Sequence, residues 1–278
     1  MGAQRTVVVG FDQSETSRRA VWWAAREAAA RRLPLLLVHV YAWPFEELTP
    51  IRVPGEQQEE EPLQQAMRRE LEALVAGCRE IDPRLRVRGE MPYGDPSVVL
   101  SGMAEVAELV VFGGAQAVGT VPAEVLAHRS GAPVVVVRGE ATAGGPVVVG
   151  VDGSPAGRLA IGFAFDFAAR HDLGLVAVHA WSDPSARAGG TGWADAREQA
   201  HELVSESLAG CAEHYPDVAV RRAVSAERPA EALLREARRA SLLVVGSHGR
   251  GRIRRVLLGS VSHAAVNRAP CPVAVLRE

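Results

Sequence analysis

The chain contains the same sequence pattern twice, and this internal repeat limits the folds available to it. The segment that begins at Val7, VVVGFDQS, returns at Val147 as VVVGVDGS. At a constant shift of 140 positions, residues 7–40 and 147–180 are identical at 15 of 34 positions. A repeat of this length predicts two copies of one structural unit rather than a single irregular domain.

The correspondence continues through both halves of the chain. At a shift of 133, LVVFG at 109–113 matches LLVVG at 242–246, and at a shift of 139, PVVVVR at 133–138 matches PVAVLR at 272–277. Between the copies, GEATAGG at 139–145 has the composition of a linker. We therefore predict two domains, at residues 1–140 and 146–278.

Each copy alternates apolar runs with segments of helical spacing. In the first copy Ser14 and Ser17 can cap the first helix, which runs to about Arg32. Because every connection between strands is helical, the order βαβαβαβαβ predicts a parallel sheet. The fold class is therefore α/β, with two tandem doubly wound domains that each contain a five-stranded parallel sheet flanked by helices. Strands are predicted at 7–11, 35–40, 84–90, 109–112 and 134–137, and the next two helices at 62–78 and 96–108.

Composition excludes several classes of function. A formal net charge of −2 provides no overall basic field for nucleic acid or an anionic membrane. All 31 cationic side chains are arginine, which excludes a lysine-dependent phosphate loop. The three cysteines are too far apart in sequence for a zinc site or a disulfide framework. Without a signal-peptide pattern or an apolar run near the roughly 20 residues that span a bilayer, we expect a cytoplasmic protein.

The clearest chemical signal follows the fourth strand of the second copy, where GSHGRG at 246–251 is followed by GS at 259–260. Glycines at a strand end let backbone N–H groups approach an anion. A helix that begins after Gly259 would direct the positive end of its dipole at a phosphate. A glycine-rich turn with a capping serine is the structural alternative, but two glycine clusters at element ends favour phosphate binding. The spacing matches neither the G-x-G-x-x-G fingerprint nor a Walker loop.

This pattern, G-x-x-G followed by nine residues and G-S, resembles the nucleotide-binding signature of the universal stress proteins. The resemblance covers both copies nearly end to end, including VVGxDxS in each first strand and PCPVAV at 270–275. It implies a tandem member of the ATP-binding type. It also implies that the apolar final strands of the two copies pair, so that the copies pack as a pseudo-dimer.

The resemblance assigns a nucleotide site to the second copy. Val151 and Asp152 would lie under the adenine and ribose, and Ala180 and Asp183 would line the base pocket. Ser260 would also contact a Mg²⁺ ion carried by the nucleotide. The implied nucleotide-binding residues are Val151, Asp152, Ala180, Asp183, Val245, Gly246, Ser247, His248, Gly249, Arg250, Gly251, Arg252, Gly259, Ser260 and Val261.

The first copy departs from this pattern. It has GGAQ at 113–116 in place of the loop, and the stretch 113–133 spans 20 positions against 26 for 246–272, so six residues are missing. A glycine–threonine pair at 119–120 lies too close to Gly113 to replace the second glycine–serine pair. We therefore expect the first copy to bind nucleotide weakly or not at all.

The residues that could support catalysis have structural alternatives. His248 lies in the loop, but no carboxylate nearby in sequence would orient it for catalysis. His39 and His179 recur at the ends of the second strands, which favours a shared structural role. Ser154 is interpreted as a helix cap rather than a nucleophile, because no G-x-S-x-G elbow is present. With no evident general base for attack on a γ-phosphate, we expect at most slow ATP hydrolysis and no other catalytic activity.

The sequence thus predicts a stress-response regulatory protein that binds an adenine nucleotide, foremost ATP with or without Mg²⁺, mainly through its second domain. The predicted partners are the nucleotide and either a second copy in a homodimer or another protein, with no nucleic acid and no membrane. One alternative is a nucleotide-independent interaction module of the same fold. The other is an adenylyl-transferring enzyme, which would carry an H-x-G-H or S-G-G-x-D-S motif that this sequence lacks.

Overall fold

A computed structural model describes residues 5–41, 62–114, 132–180, 192–248 and 258–278. The described residues form ten strands and seven helices, grouped in two compact units, Met1–Gly113 and Gly114–Glu278. The unit boundary falls before the strand Val134–Val137, which pairs within the second unit. The predicted domain limits at residues 140 and 146 stay a prediction.

The first unit contains four parallel strands in the order β3-β2-β1-β4. Their bounds are β1 Val7–Gly10, β2 Leu35–Val38, β3 Val87–Glu90 and β4 Leu109–Gly113. The helices are α1 Glu15–Arg31, α2 Pro62–Ile81 and α3 Pro96–Ala104. The short helix predicted between the fourth and fifth strands falls in 115–131, outside the described residues.

The second unit contains six strands in the order β5-β10-β9-β6-β7-β8. The five strands of the second repeat run parallel, which confirms the predicted α/β class. The strands are β5 Val134–Val137, β6 Val147–Gly150, β7 Leu175–Ala180, β8 Val220–Ser225, β9 Leu242–Gly246 and β10 Val273–Leu276. The helices are α4 Pro155–Arg170, α5 Gly192–His214, α6 Pro229–Ala237 and α7 Ser260–Arg268.

The final strands of the two repeats pair with each other, as their apolar edges predicted. β5 and β10 run antiparallel, with Val136 opposite Val273 and Val134 opposite Val275. Both strands are buried along their whole length. The pairing satisfies backbone groups that an open apolar edge would leave exposed.

The predicted helix caps are confirmed at one serine per repeat. Ser14 accepts a hydrogen bond from the Ser17 backbone N–H at 3.1 Å, and Ser154 accepts one from the Gly157 N–H at 3.0 Å. The alternative cap at Ser17 is wrong, because that residue lies buried inside α1 and donates its hydroxyl to the Ser14 carbonyl. The helix predicted at 96–108 ends earlier, at Ala104, where the backbone turns before β4.

The contact between the first two helices differs between the repeats. In the first unit the ring of Trp22 on α1 covers Gly77 on α2, and a Cβ built on Gly77 would lie 2.6 Å from the ring. The corresponding residues of the second repeat are Gly162 and Gly210. A Cβ on either of these would have no neighbour within 4 Å.

A second difference lies one turn before the end of the first helix of each repeat. In α1, Glu27 is 1% exposed and its carboxylate accepts from Arg31 Nε at 2.5 Å. The corresponding residues of the second repeat are Phe167 in α4 and His171 directly after it, whose ring centroids are 4.3 Å apart. A buried ion pair in one repeat is thus a ring pair in the other.

Candidate functional site

The second unit contains a cavity at the carboxyl ends of β6, β7 and β9. Its volume is about 780 Å³, within the range of small-molecule sites. Most lining side chains are apolar, and Asp152 is the single carboxylate among the described lining residues. The lining is Gly150, Val151, Asp152, Val178, His179, Ala180, Pro229, Leu233, Val245, Gly246, Ser247, His248, Leu258, Gly259, Ser260, Val261, Ser262 and His263.

Local hydrogen bonds hold Asp152 at the start of α4. Its Oδ1 accepts from the Ser154 backbone N–H at 2.9 Å and from Ser154 Oγ at 2.7 Å. A Cβ at position 157 would collide with this carboxylate, so the glycine there lets the helix begin directly beside it. The result is a fixed hydrogen-bond acceptor at the cavity wall, which suits a ligand hydroxyl.

The first repeat carries the same arrangement around Asp12. Its Oδ1 accepts from the Ser14 backbone N–H at 3.0 Å and from Ser14 Oγ at 2.5 Å. Burial opposes ionisation of this carboxyl, but hydrogen bonds from Ser14 and Ser17 outweigh it and hold the pKa of Asp12 below its ordinary value. The two bonds from Ser14 and Ser154 are therefore common to both repeats, whereas the Ser17 hydroxyl has no counterpart, because Gly157 stands at that position.

The recurrent histidines have the structural role that their repetition favoured. His179 Nδ1 lies 2.7 Å from the Val151 carbonyl oxygen, and His39 Nδ1 lies 2.8 Å from that of Phe11. Because a carbonyl oxygen only accepts, each Nδ1 must carry a proton. Each ring thus joins the ends of the first two strands of its repeat.

Hydrogen bonds hold together the two chain segments on either side of the glycine-rich loop. The Gly259 N–H donates to the Ser247 carbonyl at 2.8 Å, and the Ser247 N–H donates to Leu276 at 2.7 Å. Ser262 Oγ lies 2.8 Å from the Ser247 carbonyl oxygen and 2.9 Å from that of Gly259. Sequence reasoning missed Ser262, although a hydroxyl on the third residue after Gly259 is the available signal.

Helix α7 begins at the cavity without a side-chain cap. Its N-cap residue is Gly259, which has no side chain to cap the helix, and among the described residues no side-chain cap is formed. Ser260 and Val261, which open the helix, line the cavity. The first-turn N–H groups and the positive dipole end can therefore receive an anion.

The entrance to the third helix of each repeat also differs. In the first unit Asp95 caps α3, accepting from the backbone N–H groups of Ser97 at 2.8 Å and Val98 at 3.1 Å. The corresponding residue in the second unit is Arg228, which makes no side-chain cap to α6. A carboxylate is thus replaced by a cation beside Pro229, which lines the cavity.

Ten of the fifteen residues implied by sequence line this one cavity. They are Val151, Asp152, Ala180, Val245, Gly246, Ser247, His248, Gly259, Ser260 and Val261. The other five lie outside the described residues: Asp183, Gly249, Arg250, Gly251 and Arg252. The structure adds an apolar wall from α6, with Pro229 and Leu233, that no motif indicated.

Two further properties concern metals and membranes. Within the described ranges no group of three or more His, Cys, Asp or Glu side chains could hold a metal ion. His248 lies in the loop with its Nδ1 3.2 Å from Ser247 Oγ. Among the described helices, none has both the length and the apolar character to cross a bilayer.

Comparison with known proteins gives the family. The sequence profile of the Universal stress protein family matches residues 4–138 and 145–277. The chain belongs to the universal stress protein family. The two matches show that this universal stress protein has a tandem arrangement of the family domain.

Relatives extend over the whole chain. A universal stress protein of Mycobacterium tuberculosis (strain ATCC 25618 / H37Rv) is 39% identical over 294 residues, which cover 99% of this chain and 98% of that protein. One from Mycolicibacterium smegmatis is 39% identical over 290 residues, covering 98% and 96%. The crystal structure of a universal stress protein from Archaeoglobus fulgidus DSM 4304 superposes with a TM-score of 0.70 at 21% identity, covering 98% and 96%, which supports the fold.

Proposed function

We propose that this universal stress protein binds ATP in the cavity of its second unit and acts as a nucleotide-dependent regulator rather than an enzyme. The observation that carries the proposal is the meeting of an apolar wall, a fixed carboxylate and an uncapped helix start in one cavity. These are the three chemistries that a base, a ribose and a phosphate chain require.

The described residues fit an adenine nucleotide. Val178 and Leu233 offer apolar surface to a base, and Asp152 offers an acceptor to a ribose hydroxyl. The start of α7 offers N–H donors to phosphate oxygens. Arg250 and Arg252 stand in the sequence between the two loop ends and would add positive charge there. A Mg²⁺ ion, if it accompanies the nucleotide, would meet the Ser260 hydroxyl.

A regulatory role is proposed because the single carboxylate among the described lining residues is already engaged in hydrogen bonds. Oδ1 of Asp152 already accepts two hydrogen bonds from Ser154, so this carboxylate is poorly suited to take a proton from an attacking water. We expect phosphate release from ATP to be slow. We also expect a cytoplasmic protein that forms a homodimer or binds another protein.

Matched aspartate variants test the assignment of the site to one repeat. Asp152→Ala and Asp12→Ala remove the same pair of local hydrogen bonds from corresponding positions. Because a hydrogen bond to a charged acceptor is worth about 1.5–3 kcal/mol, Asp152→Ala should weaken ATP binding at least about tenfold. Asp12→Ala should leave ATP affinity unchanged.

Isothermal titration calorimetry on the full chain measures both affinity and stoichiometry. The expected result is one ATP per chain, bound in the second repeat. A stoichiometry near two, or equal losses in the two variants, would contradict that assignment. No binding of ATP, ADP or AMP would refute the proposal and favour a nucleotide-independent interaction module.

A further inference from the structure

An aromatic ring covers the end of the first strand in the first repeat. A Cβ built on Gly10, the last residue of β1, would lie 3.0 Å from both Cδ1 and Cε1 of Phe112. Leu100 of α3 approaches the same point, with its Cδ1 at 3.6 Å. Phe112 is 4% exposed, so its ring is buried at this position.

The second repeat has the same arrangement with a smaller residue. A Cβ built on Gly150 would lie 3.4 Å and 3.6 Å from the two terminal methyl carbons of Leu233, and 3.8 Å from Val245 Cγ1. Gly150, Leu233 and Val245 all line the cavity. At a shift of 133, Val245 corresponds to Phe112 and Leu233 to Leu100.

The substitution changes what this position can accept. A phenylalanine side chain has four more heavy atoms than valine, arranged as a flat six-membered ring. That ring has the shape of the six-membered half of a purine. In the first repeat the protein's own ring therefore occupies space over the strand-end glycine, whereas in the second repeat the space belongs to the cavity.

We propose that the residue at this position decides which repeat accepts the nucleotide base: Phe112 fills the base end of the first repeat, and Val245 leaves that end of the second repeat open. This inference rests on the proposed function, since it concerns the base of the same ligand. It is independent of the shortened first loop, because the loop would supply phosphate contacts and this position would control entry of the base.

The first repeat is also tighter where its fourth strand ends. A Cβ on Gly113 would overlap the backbone of Ser17, whereas a Cβ on Gly246 would lie 3.0 Å from the backbone atoms of Ala156 and Gly157. The end of β4 thus approaches α1 more closely than the end of β9 approaches α4. In both places protein atoms approach the strand-end glycines of the first repeat more closely than those of the second.

The test places the first repeat's residue in the second. Val245→Phe reproduces beside Gly150 and Leu233 a packing that the chain already contains beside Gly10 and Leu100, so the fold should accept it. We expect ATP affinity to fall about a hundredfold, since a stacked and buried base contributes that order of binding energy. Inorganic triphosphate, which has no base, should bind Val245→Phe as it binds the unaltered protein.

Two further variants complete the experiment. Leu159→Phe adds a ring at an exposed position of α4 and should leave ATP affinity unchanged. Val245→Leu adds less bulk and should weaken ATP binding about tenfold, so it provides the test if Val245→Phe fails to fold. Circular dichroism and thermal unfolding report on folding of each variant.

The outcomes separate the two proposals. If the unaltered protein binds ATP and a folded Val245→Phe or Val245→Leu binds it equally well, this inference is wrong while the proposed function stands. If triphosphate affinity falls together with ATP affinity, the substitution disturbs the whole site and base exclusion is refuted. If the unaltered protein binds no adenine nucleotide, the proposed function is refuted, and the inference that rests on it is refuted with it.

Discussion

Replacing Ser262 by alanine removes a buried hydroxyl that joins the two ends of the glycine-rich loop. Ser262 is 1% exposed, and its Oγ lies 2.8 Å from the Ser247 carbonyl oxygen and 2.9 Å from that of Gly259. A hydroxyl has one proton, so the two carbonyl groups share a single donor. Each carbonyl group also keeps a backbone donor. The Gly259 N–H donates to the Ser247 carbonyl at 2.8 Å, and the His263 N–H donates to the Gly259 carbonyl at 2.9 Å.

Because neither carbonyl group is left without a donor, the loss amounts to about one net hydrogen bond, or about 1 kcal/mol. We expect the free energy of unfolding to fall by about that amount. The ends of the loop would also be held less firmly before the nucleotide binds, and binding would then have to supply part of the ordering. The dissociation constant for ATP should therefore rise by a factor of about three to five.

Urea unfolding and calorimetric titration of Ser262→Ala measure the two effects separately. The control is Ser205→Ala on α5, which also removes a hydroxyl bonded to a helix carbonyl, that of His201 at 2.8 Å, together with an acceptor for Arg222 at 3.0 Å. Ser205 is not among the residues that line the cavity. If both variants lose stability and neither changes ATP affinity, Ser262 contributes to packing and does not position the loop.

Two stability predictions use the differences between the repeats. Gly77→Ala should destabilise the protein, because the new methyl group would clash with the ring of Trp22. Gly210→Ala meets open space and should stabilise the protein by up to about 1 kcal/mol through helix propensity. Equal shifts in the thermal unfolding temperature would show that the Trp22 ring moves aside at no cost. Glu27→Ala removes the closer of two carboxylates beside Arg31, since Glu108 remains at 4.0 Å, and should cost about 2 kcal/mol in urea unfolding. The double variant Glu27→Phe/Arg31→His copies the pair Phe167 and His171 of the second repeat and should recover at least about half of the stability lost in Glu27→Ala. A double variant as unstable as Glu27→Ala would contradict this account.

Local sequence determined the elements and their order. The apolar runs at 7–11 and 134–137 identify strands because a parallel strand is buried on both faces and needs no polar alternation. Ser14 and Ser154 were predictable as caps because an N-cap bonds within three residues of itself. Ser17 was not distinguishable from Ser14 by type, and only the position of the helix start excluded it as the cap.

The sequence also identified the part of the site that lies on continuous segments. Asp152, Gly246 and Gly259 follow or precede recognisable elements, and the repeat showed that the first copy lacks the matching loop. The apolar wall from α6 could not be predicted, because Leu233 and Val245 approach Gly150 together only after β6 and β9 become neighbours in the sheet.

The sequence by itself thus determined a duplicated α/β chain of the universal stress protein family and the segments that carry its candidate site. Tertiary structure alone decided which side chains face one another across those segments. Strand order places Phe112 over Gly10 and Val245 near Gly150, although each pair is separated by about a hundred positions in the chain. Whether a cavity stays open depends on the volume of such a distant partner, which no local pattern of residues records.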